Sequence, residues 1–295
     1  MPPPHGGGGG GDGTEAAAGD GSSGQQAAAT TTAAPSSPPP PLVLTLHPSR
    51  HVKTLHLVRH AEGFHNVAGA LDYANYKLEK FLDAHLTREG WNQAHALRAE
   101  LINQRAAGPG NGGRRPIRPA VVLTSPLTRA LETAAAAFGG PVLSGSEEGG
   151  PALLMRAQQA QPGVREQHPP ISALGAPPFA AVELAREHLG VHPCDRRGPL
   201  SIKRAAFPAV DFDAHALSEE DELWRSDRRE TEGEIQARAL ALLRLVAVGR
   251  AEDEVAVVSH SSLLRHMLAA AARDEGVRRP FANAELRTVC LVVSP

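Results

Sequence analysis

The sequence predicts an α/β fold in three layers, a mostly parallel central sheet held between two layers of helices. Three observations predict it. Short β-rich runs alternate with amphipathic segments of helix length, the pattern of βαβ units. The runs at 54–58 and 255–258 are rich in Leu and Val, as strands buried on both faces are. Each leads directly to a histidine, through Arg59-His60 in the first and Ser259-His260 in the last. Ligand crevices in open α/β sheets lie beyond the carboxyl ends of the strands. If both strands share one sheet, two imidazoles from opposite ends of the sequence meet in one pocket.

The elements follow in order. After the strand at 54–58 comes a short helix near Phe64 and an irregular stretch with Tyr73 and Tyr76. A helix opens near Thr87 and carries Trp91, Ala94, Leu97 and Leu101 at amphipathic spacing. The next strand spans 120–124. Ser125-Pro126 then reads as an N-cap hydroxyl with proline at the first helical position, opening a helix over 127–138. Residues 153–159 suggest short elements, and 179–189 reads as a helix closed by Gly190. Thr231-Glu232-Gly233-Glu234 is a capping box, and the helix behind it runs through Ile235, Leu240, Leu243 and Val246. A strand at 254–258, a helix over 261–271 and a final strand at 286–293 complete the chain.

Residues 1–41, rich in Gly, Ala, Pro, Ser and Thr, cannot bury enough apolar surface to offset their ordering entropy and are expected to form a disordered tail. A single domain is expected over 42–295, interrupted by Gly- and Pro-rich loop insertions near 106–119 and 139–178. The net charge of -2 gives no bulk electrostatic reason to bind nucleic acid or a membrane. No apolar stretch reaches the roughly 20 residues that span a bilayer. Cys194 and Cys290 make neither a disulfide framework nor a metal-ligand cluster. A secretory signal pattern is absent and no Arg or Lys precedes Arg50, so a cytoplasmic location is expected, with organellar targeting left open.

The residues around the two histidines carry chemistry. Glu62 and Asn66 lie just beyond Arg59-His60, and Arg129 falls near the start of the helix after the second strand. If Arg59, His60, Arg129 and His260 converge, they form a pocket of donors with two fixed positive charges. Guanidinium forks match phosphate oxygens, and the Asn66 amide can add a donor. A neutral imidazole at the centre is a competent nucleophile toward phosphorus. Each residue alone also has an ordinary reading: a hydrogen-bonding core histidine, a surface arginine. Their joint placement points to a phosphate site.

Leu57-Val58-Arg59-His60-Ala61-Glu62-Gly63-Phe64-His65-Asn66 resembles the signature of the histidine phosphatase superfamily, whose fold is that of the phosphoglycerate mutases and their phosphatase relatives. Further similarities follow in the family's order. They are Leu86-Thr87 with Gly90, Gln93 and Ala94; Thr124-Ser125-Pro126-Leu127 with Arg129, Ala130, Thr133 and Ala134; and Arg186-Glu187 with Gly190. Glu232-Gly233-Glu234 with Arg238, Val258-Ser259-His260, and Asn283 with Glu285 complete the series. The resemblance covers roughly 53–293 and implies a phosphoglycerate mutase-like fold. It implies that His60 is the nucleophile that becomes phosphohistidine, and that Arg59, Arg129, His260 and Asn66 bind the phosphoryl group. It assigns Glu187 the proton donation to the leaving oxygen and activation of water, against its ordinary reading as an exposed helix carboxylate. No metal or other cofactor is implied.

Three small residues, Ala61, Gly63 and Ser261, depart from the family's commonest pattern, which weakens the mutase reading. The stretch from Val191 to Arg197 is similar to a plant and fungal branch of mutase-like proteins. Arg196 and Arg197 are candidates to meet a second anionic group of the substrate, or are simply surface charges. His192 and Cys194 lack a partner pair at metal-ligand spacing. The charged run over 219–234 is expected to form a cap-like segment near the pocket mouth. Taken together, these features predict a metal-independent phosphatase acting on a small phosphate monoester. The alternatives are a mutase that returns the phosphoryl group to its substrate, and a non-catalytic relative that binds a phospho-ligand or a protein. Oligomeric state is left open.

Overall fold

The computed structural model describes residues 51–107, 115–144, 152–215, 217–272 and 275–293. The expected tail at 1–41 lies outside the described residues, as do 108–114 and 145–151 within the two expected insertions. The strands are β1 (His51–Arg59), β2 (Val121–Thr124), β3 (Leu153–Met155), β4 (Ile171–Ser172), β5 (Phe179–Ala181), β6 (Val210–Asp211), β7 (Glu254–Ser259) and β8 (Leu286–Val293). The α-helices are α1 (Phe64–Leu71), α2 (Arg88–Ala106), α3 (Thr128–Phe138), α4 (Leu200–Ala206), α5 (Glu232–Val248), α6 (Ser261–Ala271) and α7 (Glu275–Arg278). Among the described residues, no helix is long and apolar enough to cross a membrane.

Six strands form one sheet in the order β6-β5-β2-β7-β1-β8. All neighbours run parallel except the edge pair β1 and β8. The period-two alternation of strand side chains divides the core into two. Val58, Val122, Ala256 and Val258 face one way, toward Trp91, Ala94, Leu97 and Leu101 of α2 and the alanines of α3. Leu55, Leu57, Val121, Leu123, Val255 and Val257 face the other, toward Ile235, Ala239 and Leu242 of α5 and Leu263, Leu264 and Met267 of α6. This is the expected α/β/α sandwich, with β7 buried on both faces at its centre.

The register decides where the chemistry falls. Parallel pairing sets Val58 beside Val258 and Arg59 beside Ser259, so the next residues, His60 and His260, emerge side by side. Pairing of Thr124 with Val258 brings the turn after β2, and hence the first turn of α3, to the same edge.

Two expectations at this edge are corrected. The segment at 179–189 is not a helix: Phe179–Ala181 pairs parallel with β2, and Glu183–Ala185 is one turn of 3-10 helix. Its Ala- and Glu-rich composition favours helix, but pairing and burial against β2 override that weak preference. Ser125 is not the N-cap of α3, which begins after Leu127. The Ser125 hydroxyl instead accepts from Leu127 N–H and meets His260. By contrast, Thr231 caps α5 with the expected capping box to Glu234, and α2 begins where expected, with Thr87 capping it through Gly90 N–H.

Candidate active site

Arg59, His60, Asn66, Arg129 and Glu187 line one cavity of about 250 Å³ at the carboxyl ends of β1, β2 and β7. His60 is its centre and is 2% exposed. Its Nδ1–H donates to Ala61 O at 2.7 Å, which leaves the ring's lone pair on Nε2. Arg129 Nε–H reaches that lone pair at 3.3 Å. Burial, then the charges of Arg129 and Arg59, hold the His60 pKa well below its ordinary value, so the ring is neutral near pH 7.

The loop after His60 is braced by the residues that made up the second landmark. Thr87 Oγ1 donates to Glu62 Oε1 at 2.7 Å and Gln93 Oε1 accepts from Glu62 N–H at 3.0 Å. A Cβ at Gly90 would lie 2.0 Å from Glu62 O, so only glycine permits this approach. Asn283 Nδ2 donates to His60 O and Thr133 Oγ1 accepts from Ala61 N–H, closing the loop from the other sides.

The two arginines are held differently. Arg129, 1% exposed, donates to Cys194 O at 2.5 Å and pairs with Asp195 Oδ1 at 2.9 Å, and those bonds fix its plane beside His60. Asp195 also takes Arg229 at 3.0 Å, so one buried carboxylate aligns two guanidiniums on the cavity wall. Arg59 donates one N–H to Phe281 O at 2.7 Å and leaves Nε without a partner. Asn66 Oδ1 accepts from the Gly63 N–H at the start of α1, while its Nδ2 has no partner among the described residues and can serve an anion.

His260 is fully buried beside His60, ring centroids 5.0 Å apart. Its Nε2 meets Ser125 Oγ at 2.8 Å, and its Nδ1 has no partner. Burial and Arg129 depress its pKa well below the usual histidine range. Glu187 sits at the N-terminus of α6, accepting Ser262 N–H at 3.2 Å. Its backbone is stapled from α5 by Arg238, which donates to Arg186 O and Glu187 O. Arg238, singled out only within a sequence motif, thus positions the candidate acid.

Arg196 and Arg197 are not brought to the cavity. Arg197 is 3% exposed and its guanidinium is consumed by Glu183 and the carbonyls of Gly198, Ser218, Glu219 and Glu220. Arg196 lies over the Trp224 ring and pairs with Glu79 at 3.4 Å. The cavity wall that sequence reasoning missed is aromatic and cationic: His65, Tyr73, Tyr76, His188, His192 and Arg229. Tyr73 and Tyr76 were noted only as an irregular stretch. Of the expected cap-like segment, Arg229 lines the cavity and Trp224 donates to His192 O at 3.0 Å.

No family model matches the chain. A phosphoglycerate mutase-like protein of Arabidopsis thaliana is 38% identical over 258 residues, spanning 84% of this chain and 87% of that protein. Phosphoglycerate mutase-like protein 1 of the same plant is 38% identical, covering 84% of each. Among solved structures, the ecdysone phosphate phosphatase from Bombix mori is similar over 82% of this chain and 92% of that chain, with 14% identity and a TM-score of 0.47. On the identity and coverage of the plant relatives, the chain belongs to the phosphoglycerate mutase-like proteins.

Proposed function

We propose that the protein is a phosphatase that hydrolyses a small phosphate monoester through a phosphohistidine on His60, with its positive field supplied by arginine rather than by a metal. The observation that carries this reading is the state of His60: buried, neutral, its Nδ1–H engaged by Ala61 O and its Nε2 turned toward Arg129. In the first step the Nε2 lone pair attacks phosphorus, the bond from phosphorus to the leaving oxygen breaks, and Glu187 gives that oxygen a proton. In the second, Glu187 takes a proton from water, the hydroxide attacks phosphorus, and the phosphorus–nitrogen bond breaks to release inorganic phosphate. Charge growing on the equatorial oxygens is met by Arg59, Arg129, Asn66 and the open Nδ1 of His260, a preorganised electrostatic cradle.

Half-buried Glu187 and the exposed rim at Tyr73 leave the cavity in contact with solvent, which favours water over a returning substrate as the second acceptor. The test is phosphate release from sugar phosphates, phosphoglycerates, nucleotides and an aryl phosphate, with chelator present and His60→Ala beside the native chain. Turnover that survives chelation and vanishes in the variant is expected. Interconversion of phosphoglycerates without net phosphate release would move the assignment to a mutase. Equal background rates in both proteins would remove the catalytic reading.

A further inference from the structure

Gly63 and His65 share one space. A Cβ built at Gly63 would lie 2.7 Å from both Cε1 and Nδ1 of the His65 ring, so the imidazole occupies the volume that a side chain at 63 would fill. The ring is 3% exposed, its centroid is 5.7 Å from that of His60, and it lines the same cavity. It packs edge-on against Tyr76 at 6.0 Å. Tyr76 in turn lies against the bare backbone of Gly69, where a Cβ would fall 2.1 Å from its ring. Two glycines of the α1 segment thus make room for two rings. Yet His65 makes no side-chain hydrogen bond among the described residues, and its Nδ1 is buried without a partner. A buried donor or acceptor left unpaired costs about 1–3 kcal/mol, so such a group in a cavity is expected to have an absent partner.

Resting on the phosphatase reading above, we propose that His65 is a third phosphate-binding histidine, donating a ring N–H to a phosphoryl oxygen beside His60. The surroundings suit that role. Burial, then Arg129, His60, Arg59 and His192, hold its pKa well below the ordinary value, so the ring is neutral near pH 7. No protein acceptor fixes which nitrogen carries the proton, and an arriving phosphate dianion selects the tautomer that donates to it. The dianion also offsets the surrounding positive charge. Without a bound anion, the same nitrogen has nothing to pair with.

The experiment compares native protein, His65→Phe and His65→Gln in binding inorganic phosphate and orthovanadate by calorimetry, and in turnover of an aryl phosphate. His65→Phe keeps a ring against Tyr76 but removes both nitrogens. Its binding of both anions is expected to weaken about 10- to 100-fold, the scale of a lost hydrogen bond to a charged group, with His65→Gln recovering part of the loss. Gly63→Ala, which must push the imidazole aside, is expected to weaken anion binding in the native background and to add nothing in His65→Phe. That coupling separates a ligand contact from a packing role and remains readable if either single variant is less stable. Native-like anion binding by a folded His65→Phe, or full additivity with Gly63→Ala, would overturn the assignment. If the native chain binds phosphate in a His65-dependent way yet hydrolyses nothing, the phosphatase reading fails and the binding role stands. If the native chain binds neither anion, both fail.

Discussion

His56 and His60 lie on the same strand or at its end, and each is 2% exposed, yet they are opposite kinds of histidine. His56 spends both nitrogens on protein: Nδ1 meets Thr288 Oγ1 at 2.9 Å and Nε2 meets Glu254 Oε1 at 3.0 Å. His60 has one nitrogen tied to a carbonyl and the other facing a guanidinium in a cavity. The arginines divide the same way. Arg197 is saturated by one carboxylate and several carbonyls, whereas Arg59 keeps a buried Nε with no partner. Within these two pairs burial does not separate the group in the framework from the one at the cavity; the completeness of hydrogen bonding does.

The strongest way to break that contrast is substitution of the paired histidines. His60→Ala should lower kcat/KM for an aryl phosphate by on the order of 10³-fold or more, the scale of losing a nucleophile, while leaving the chain folded. Glu187→Gln should cost about 10²- to 10⁴-fold in kcat for a substrate with a poor leaving group. The defect should shrink for p-nitrophenyl phosphate, whose leaving oxygen needs no proton; an equal defect on both substrates would argue against Glu187 as the acid.

The saturated members should behave in reverse. Arg197→Ala leaves several carbonyls without their donor while Glu183 keeps Arg186, so a loss of about 1–3 kcal/mol in unfolding free energy is expected from the denaturant midpoint. Phosphate affinity of the folded fraction should not change. His56→Leu should cost about 1–3 kcal/mol of stability with native kcat/KM. A large activity loss in either would erase the distinction.

Proton linkage gives the smallest effect per group. The folded-state pKa values of His60, His65 and His260 all lie well below the ordinary histidine value of 6.5. Above that value both folded and unfolded chains are neutral at these sites. As pH falls below it, the unfolded chain takes up protons first and stability falls, by about 1.4 kcal/mol per histidine per pH unit. Denaturant midpoints from pH 7.5 to 5.5 should fall accordingly, and His60→Ala should flatten the slope. By the same shift, His60 stays unprotonated below pH 6.5, so if it is the proposed nucleophile the acid limb in kcat/KM is expected well under that value.

The central fold was legible because burial on both faces writes itself as β-rich apolar runs, as at β1 and β7, and because capping residues such as Thr87 and Thr231 act locally. Residues 179–181 were not, since a strand of Phe-Ala-Ala is decided by its neighbour β2 rather than by its own preference. His60, Arg59, Arg129, Asn66 and Glu187 were found through motif order, and the structure gathers them at one cavity. Arg197 misled because sequence cannot count acceptors around a guanidinium. His65 and Arg229 were missed because their meaning lies in what surrounds them: an emptied position at Gly63, and a carboxylate shared with Arg129.

The sheet order also bears on how the molecule comes into being. β1 stands near the start of the described chain, but both of its hydrogen-bonding neighbours, β7 and β8, are its last two strands. During synthesis β1 therefore leaves the ribosome with two open edges and stays unpaired until β7 and β8 have emerged. Pairings of such high contact order form slowly, and exposed strand edges invite association with other chains. His60 acquires its neighbour only at that final closure, so nascent chains and fragments ending before β7 are expected to be inert. The site is thus assembled only in a completely folded chain, and the interval before β1 is paired is when a chaperone would matter most.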